Sequence, residues 1–174
     1  RVDCDNFDGA RQATRHLLGL GHRRFVILSG PLSLSNSRDR ADGARAELTD
    51  AGVALADAGF IVAHDSVVLD TAATVRLQEQ LSGRQRCTAI VCGGYYLALG
   101  AMQIVRQMGL DIPRDVSIVG FDDPVSAPLL NPPLTTVRQP LEAMARRAYE
   151  VVKRAVRDGA AGMSFTRLPT ELAV

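Results

Sequence analysis

Side chains that could bind a ligand follow three apolar runs of the sequence, at the places where buried strands would end. The runs span residues 24–29, 88–92 and 117–121. The groups that follow them are, in chain order, Arg38 and Arg40, then Gly93, Gly94, Tyr95 and Tyr96, then Asp122 and Asp123. Guanidinium, phenol and carboxylate groups offer donors, acceptors and ring faces. Brought together, they would suit a small polar ligand.

Each of these groups also has a structural interpretation. Two arginines near a helix start are often solvated surface, and neighbouring tyrosines can pack in a core. Gly93 and Gly94 could cradle a phosphate, but neither a Walker-type lysine nor a GxGxxG spacing accompanies them. Asp122 and Asp123 could hold a metal, cap a helix or pair with an arginine. The residues alone leave these alternatives open.

Signatures of catalysis and of metal binding are weak in this sequence. Cys87 and Cys92 lack the paired-cysteine motif of a zinc site, and the three histidines lack ligand spacing. No G-x-S-x-G elbow is present, and no nucleophile is paired with a base. We therefore expect no metal, no cofactor and no enzyme activity. The enzymatic alternative would use Asp122 and Asp123 as acid and base.

Length, charge and composition narrow the class of protein. The 174 residues are typical of one domain or two small ones, and 20 basic and 19 acidic residues give a net charge of +1. That balance disfavours direct contact of this stretch with nucleic acid. No apolar run approaches the roughly 18 residues of a membrane span, so we expect no membrane partner. Three cysteines favour a reducing compartment over a disulfide framework. Because the sequence begins with Arg1, we expect a fragment of a longer protein.

The order of apolar patterns predicts an α/β fold with a mostly parallel sheet flanked by helices on both faces. Strands are predicted at residues 24–29, 60–63, 88–92, 117–121 and 134–137. Helices are predicted at residues 8–20, 38–51, 71–81, 96–108 and 141–157. Because ligands bind outside the carboxyl ends of parallel strands, we expect the polar groups to form one rim. Three prolines within residues 127–133 indicate a bend or a crossing between lobes.

Six segments, in order and over nearly the whole chain, resemble the LacI/GalR family of bacterial transcriptional repressors. They are LLGLGHRRFVILSGP at 17–31, RADG at 40–43, CGGYYLALGA at 92–101, DVSIVGFDD at 115–123, PPLTTVRQP at 132–140 and LPTEL at 168–172. One such segment would be a weak signal, but six in register are specific.

The resemblance implies a periplasmic-binding-protein-like fold of type I, with two α/β lobes, three crossovers and an effector in the cleft. Residues 5–133 and 164–174 would form the C-terminal lobe, which makes up most of the chain. Residues 1–4 and 134–163 would be a remnant of the N-terminal lobe. The expected partners are a small-molecule effector, a second copy of the chain and, only through an absent N-terminal domain, operator DNA. The implied location is the cytoplasm.

The resemblance also implies an effector site. Arg40 matches the family's effector-binding arginine, Asp5 matches a crossover position that faces the cleft, and Asn36 lies where a polar contact is common. Tyr95 departs from the pattern, since many members carry an acidic residue there. A tyrosine can stack on a sugar ring or a planar base, and we expect Tyr96 to be buried behind it. The complete expected set is Asp5, Asn36, Arg40, Tyr95, Phe121 and Asp122.

A dimer interface is implied on the helix that contains Leu97 and Met102 and on the segment with Leu129 and Leu130. We expect a dimerising regulatory domain that senses a sugar or nucleoside-like effector and controls DNA binding by a separate helix-turn-helix. The alternative is a periplasmic solute-binding protein of an importer, which shares the fold. The segments at 132–140 and 168–171 favour the regulator.

Overall fold

A computed structural model describes residues 1–56, 59–158 and 165–174 of the protein. Within these ranges the strands are β1 (Val2–Cys4), β2 (Phe25–Ser29), β3 (Phe60–Val62), β4 (Ala89–Cys92), β5 (Ser117–Phe121), β6 (Thr135–Arg138), β7 (Thr166–Leu168) and β8 (Glu171–Ala173). The helices are α1 (Asn6–Gly19), α2 (Ser35–Asp50), α3 (Thr71–Gln80), α4 (Tyr95–Gln107) and α5 (Leu141–Asp158). Among the described residues, no helix is both long and apolar enough to cross a membrane.

Six strands form the large sheet, in the order β3-β2-β4-β5-β6-β8. Every neighbouring pair is parallel except β6 and β8, which are antiparallel. Alternate residues of β2 enter different cores, because successive side chains of a strand point to opposite faces. Phe25 and Ile27 pack with α1 and α2, whereas Val26 and Leu28 pack with α3 and α4. The predicted fold class, a mostly parallel sheet flanked by helices, is confirmed.

The remaining strands, β1 and β7, pair in parallel with each other and form a separate two-stranded sheet. The chain passes between the two sheets at residues 4–6, 138–141 and 168–171. The backbone N–H of Asp5 donates to the carbonyl of Leu168 at a distance of 2.7 Å, so a hydrogen bond connects two of these crossings. Helix α5 contacts β1 and exposes most of its length.

The pairing of β6 favours a different boundary between the expected lobes. Residues 134–163 were expected in the other lobe, but β6 hydrogen bonds to β5 in the large sheet, with Val119 opposite Thr135. The antiparallel partner of β6 is β8, so both strands extend the same sheet. This pairing favours a boundary after Arg138, and the division itself stays a prediction. Its other boundary, between residues 163 and 164, falls outside the described residues.

Helices α1 and α2 approach each other closely at Gly43. A Cβ atom at that position would lie 2.1 Å from the carbonyl oxygen of Phe7, far inside van der Waals contact. Beside this contact, Glu47 accepts hydrogen bonds from Arg11 at 2.6 Å and from Arg15 at 2.7 Å. Burial raises the pKa of Glu47, but the two arginines outweigh burial and hold that pKa below its ordinary value. The two helices therefore join through a small residue and a charged cluster.

Replacing Gly43 by alanine tests this packing. We expect Gly43→Ala to lower the free energy of unfolding by about 1–3 kcal/mol, because backbone atoms of α1 would have to move away. The control is Gly19→Ala in α1, where a Cβ would meet no heavy atom within 4 Å. The control should match or slightly exceed the parent, since alanine favours a helix over glycine. Urea denaturation measures both, and equal midpoints for the two variants would contradict the close approach.

Candidate functional site

The predicted rim forms where adjacent parallel strands end. Strands β2, β4 and β5 are neighbours, so their carboxyl ends lie side by side. Gly93 follows β4 and Asp122 follows β5, and Arg40 reaches both from α2. The structure thus brings together three groups that are 29 or more residues apart in the sequence.

The Arg40 guanidinium is the centre of this site, and it is 7% exposed. Its Nε donates to Oδ1 of Asn6 and one Nη donates to the carbonyl of Gly93, each at a distance of 2.8 Å. Its Cζ lies 3.7 Å from the centre of the Phe121 ring, a cation–π contact. The other Nη lies 3.6 Å from the Asp122 carboxylate. Burial lowers the pKa of Arg40, and the Asp122 charge opposes that effect.

Asp122 has a left-handed backbone, with φ of +76°. Only a few per cent of residues other than glycine adopt such angles, and they do so where the surroundings hold them. The backbone N–H of Asp122 donates to Val137, and its carbonyl accepts from the Thr136 hydroxyl over 2.6 Å. The Gln139 amide donates to its carboxylate. Two chain segments, β6 and the crossing after it, thus fix the carboxylate beside Arg40.

Asn6 was not predicted from the sequence, although it is the residue that accepts from Arg40 Nε. It is 2% exposed. Its Oδ1 also accepts from the Cys4 thiol at 3.5 Å, and its Nδ2 donates to Oδ1 of Asp3 at 3.1 Å and to the carbonyl of Cys4 at 3.3 Å. A signal was available, because residue 6 shares the helical spacing of Ala10, Ala13 and Leu17. A polar side chain on that buried face needs a polar partner.

The two tyrosines are arranged differently from the expectation. Tyr95 is buried, with its hydroxyl 2.8 Å from the hydroxyl of Ser126, whereas Tyr96 is 54% exposed. The expectation that Tyr96 is buried behind Tyr95 is therefore wrong. Tyr95 is the first residue of α4 and shares the sheet-facing side with Ala98, three residues on, while Tyr96 is turned about 100° away. The rings meet edge to face, with centroids 5.5 Å apart.

A cavity of about 300 Å³ adjoins these tyrosines at the strand ends. It is lined by Tyr95, Tyr96, Asp122, Asp123, Pro124, Ser126, Gln139 and Leu141. Carboxylates, an amide and ring surface therefore face one space; Arg40 does not line it, but lies 3.6 Å from the Asp122 carboxylate that does. Among the described residues, no group of three or more His, Cys, Asp or Glu side chains is placed to hold a metal ion.

Asp5 and Asn36 occupy the edges of this region. Oδ1 of Asp5 accepts from the backbone N–H of Asp8 over 3.0 Å and caps α1. Asn36 is exposed in the first turn of α2. The structure brings Phe121 and Asp122 next to Arg40. Asp5 lies at the start of α1, directly before Asn6. The assignment of the six residues to an effector stays a prediction.

Two of the four residues expected at a dimer interface lie in the core. Leu97 is 1% exposed and Met102 is 3% exposed, because both are on the side of α4 that packs on the sheet. That part of the expectation is wrong, since a buried side chain cannot contact a second copy. Leu129 is 83% exposed, and Leu130 is half-buried against the core.

Comparison with known proteins identifies the family of this domain. A profile of the periplasmic binding protein-like domain matches residues 14–174. The chain belongs to this domain family. An uncharacterized HTH-type transcriptional regulator from Streptomyces limosus is 42% identical over 150 residues, which are 84% of this chain and 41% of that protein.

Solved structures of LacI-type regulators have the same fold. The transcriptional regulator CelR in complex with cellobiose has a TM-score of 0.91 and 29% identity, covering 99% of this chain and 52% of CelR. A LacI family transcriptional regulator from Mycobacterium smegmatis has a TM-score of 0.91 and 30% identity, covering 99% of this chain and 63% of that protein. The resemblance to the LacI/GalR family is confirmed. These relatives are transcriptional regulators and not enzymes, and the chain spans about half of their lengths.

The backbone at Asp122 of this LacI-type domain gives a prediction about stability. Asp122→Asn should cost about 1–3 kcal/mol, since asparagine tolerates positive φ but the buried Arg40 loses the opposite charge beside it. Asp122→Val should cost a further 1–3 kcal/mol or so, because a β-branched residue is strained at this φ. Chemical denaturation of both variants measures the difference. Equal stability of the valine and asparagine variants would show that the left-handed backbone is not fixed.

Proposed function

We propose that this chain is the effector-sensing domain of a LacI-type transcription factor. It binds a small polar ligand of the sugar class beside Arg40 and thereby controls DNA binding by a helix-turn-helix that lies outside the chain. The observation that carries the proposal is the buried Arg40 guanidinium, oriented by Asn6 and Gly93 next to the Asp122 carboxylate at the strand ends.

The chemistry of the site supports a ligand with several hydroxyl groups. A hydroxyl both donates and accepts, so neighbouring hydroxyls of a sugar can accept from Arg40 and donate to a carboxylate such as Asp122. Asp5 and Asn36 would supply further polar contacts at the edges. Of the two tyrosines, Tyr96 exposes its ring beside the cavity, where a sugar face can stack, while Tyr95 supports the loop through Ser126. The structural neighbour CelR is described in complex with cellobiose.

The strand pairing supports a division of the chain between two lobes. In this proposal the C-terminal lobe contains the large sheet with β6 and β8, and β1, β7 and α5 belong to the N-terminal lobe. Helix α5 exposes Leu141, Tyr149, Val152 and Val156 along its length. That apolar side would pack on the rest of the N-terminal lobe. A regulator of this kind would act in the cytoplasm on operator DNA. We do not retain the alternative of a periplasmic solute-binding protein, because the relatives are transcriptional regulators.

A ligand screen with a matched pair of arginine variants tests the function. We expect at least one sugar, from a panel including cellobiose, D-galactose and D-ribose, to raise the melting temperature of the chain in its natural full-length form. Arg40→Lys should weaken binding of that sugar by about tenfold or more, since lysine keeps the charge but loses the planar fork of donors. Titration calorimetry measures the dissociation constants.

The control is Arg38→Lys, in the same helix but with an exposed side chain that bonds only the carbonyl of Leu32 among the described hydrogen bonds. Its affinity should equal that of the parent. A panel that leaves the melting temperature unchanged, with nucleosides and small carboxylic acids included, would remove the proposed effector site. Equal affinities of the Arg40 and Arg38 variants would remove the role of Arg40.

We further propose that the chain forms a two-fold dimer through the exposed side of α4. A groove of about 400 Å³ runs along this side, and Val67, Val68 and Leu99 are among the residues that line it. Val67 and Val68 are each more than half exposed, which is unusual for neighbouring apolar groups on a surface. Leu129, which is also exposed, extends the candidate surface beyond the groove.

Sedimentation of charged variants tests the dimer. We expect the parent to sediment as a dimer at tens of micromolar and Val68→Asp to sediment as a monomer, because a carboxylate would be desolvated in the contact. Leu20→Asp is the control, since Leu20 is 62% exposed at the end of α1, on the opposite face of the sheet. A parent that is monomeric, or a dimer that persists in Val68→Asp, would contradict this surface.

A further inference from the structure

We infer that Asn6 is a positioning residue for Arg40, which orients the guanidinium and ties it to the first crossing of the chain. The inference rests on the proposed function, because it concerns the same site. Asn6 is 2% exposed, and both ends of its amide have partners. Its oxygen faces Arg40, and its nitrogen faces Asp3 and Cys4.

The choice of atoms on Arg40 explains why Asn6 sets its orientation. Nε is the guanidinium nitrogen closest to the aliphatic stem, and it carries a single N–H. Asn6 holds that N–H at 2.8 Å, while Gly93 holds one Nη at the same distance. Two anchored nitrogens, together with the Phe121 ring 3.7 Å from Cζ, fix the plane of the group. The other Nη is thereby directed at Asp122, 3.6 Å away.

The two hydrogen bonds leave donors for a ligand. A guanidinium has five N–H donors, and Asn6 and Gly93 take one each. The remaining donors are on the Nη atoms, which can reach Asp122 and a bound hydroxyl. If Asn6 were replaced by an apolar residue, Nε would lose its acceptor in a buried place. The guanidinium would then turn to satisfy Nε, and its Nη atoms would leave the positions that a ligand needs.

The nitrogen side of Asn6 connects this orientation to the crossing. Nδ2 donates to the carboxylate of Asp3 and to the backbone carbonyl of Cys4, both in β1 of the small sheet. The same Asp3 oxygen accepts from the backbone N–H of Cys4 at 2.9 Å. A shift of β1 relative to α2 therefore moves the acceptor that orients Arg40. By reciprocity, a ligand that favours one orientation of Arg40 favours one geometry of the crossing.

The exchange rate of the Arg40 Nε–H proton with solvent reports the orientation directly, by NMR and without any ligand. Asn6→Leu keeps the approximate size of the side chain and removes the acceptor. We expect its Arg40 Nε–H to exchange about tenfold or more faster than in the parent, the factor that corresponds to one buried hydrogen bond. Asn6→Asp retains an acceptor for Nε but loses the donor to Asp3 and Cys4, so its Nε–H should exchange more slowly than in Asn6→Leu.

Thr14→Val is the control for general loosening of α1. Thr14 is fully buried in the same helix, and its hydroxyl donates to the carbonyl of Ala10 at 2.8 Å rather than contacting Arg40. It should lose stability without faster exchange at Arg40. The inference is overturned if Asn6→Leu exchanges at the parental rate, or if Thr14→Val accelerates exchange as much as Asn6→Leu.

A second variant covers the case in which Asn6→Leu does not fold. Asn6→Ser retains a polar group, but its shorter side chain does not reach Nε, so the same acceleration of about tenfold is expected. A parental rate in Asn6→Ser would then overturn the inference. Failure of the sugar screen leaves these exchange rates unaffected, so failure of the proposed function and failure of the role of Asn6 are distinguishable.

Discussion

The burial of one guanidinium is the constraint around which this structure is arranged. A charged group removed from water destabilises a protein unless hydrogen bonds and an opposite charge replace the lost solvation. Arg40 obtains four partner residues from three different parts of the chain: Asn6 at the start of α1, Gly93 after β4, and Phe121 and Asp122 at the end of β5. No single element could supply them, so the site exists only once the sheet and its helices have assembled.

The fold provides this arrangement through the parallel order of its strands. Because β4 and β5 are adjacent and run in the same direction, the groups after them meet at one edge. Helix α1 allows the Phe121 ring to lie beneath Arg40, since a Cβ on Gly9 would come within 2.9 Å of that ring. The crossing segments close the site, because Gln139 and Asn6 both lie where the chain passes between the two sheets. The proposed ligand beside Arg40 would therefore lie close to the segments of the chain that connect the two sheets.

Most of the fold was predictable from the sequence because long apolar patterns decide it. The five strands predicted from apolar runs are all present, and the ends of the five predicted helices differ from the observed ends by only a few residues. The unpredicted strands β1, β7 and β8 have three residues each, and each contains a charged residue, so no apolar run marks them. Strand β3 is equally short, but its three residues are all apolar. Tertiary pairing, which a local pattern does not contain, defines such strands.

The site was predictable in its charged members but less so in the residues that support them. Arg40 and Asp122 stand out because their types and positions suggest ligand chemistry, whereas Asn6 is recognisable only by its place on a buried helical face. The errors at Tyr96, Leu97 and Met102 share one cause. Apolar or aromatic composition alone does not tell which side of α4 packs on the sheet, and a shift of one residue in a helix turns a side chain by about 100°.

The most direct test of the account is a crystal structure with the sugar that gives the largest thermal shift in the screen. The account predicts a ligand oxygen within about 3.2 Å of an Arg40 Nη atom, a normal hydrogen-bond distance. It also predicts that the bonds from Arg40 to Asn6 and Gly93 are retained in the complex. A ligand bound away from the strand ends, or an Arg40 side chain that has left Asn6 and Gly93 to reach the sugar, would contradict it.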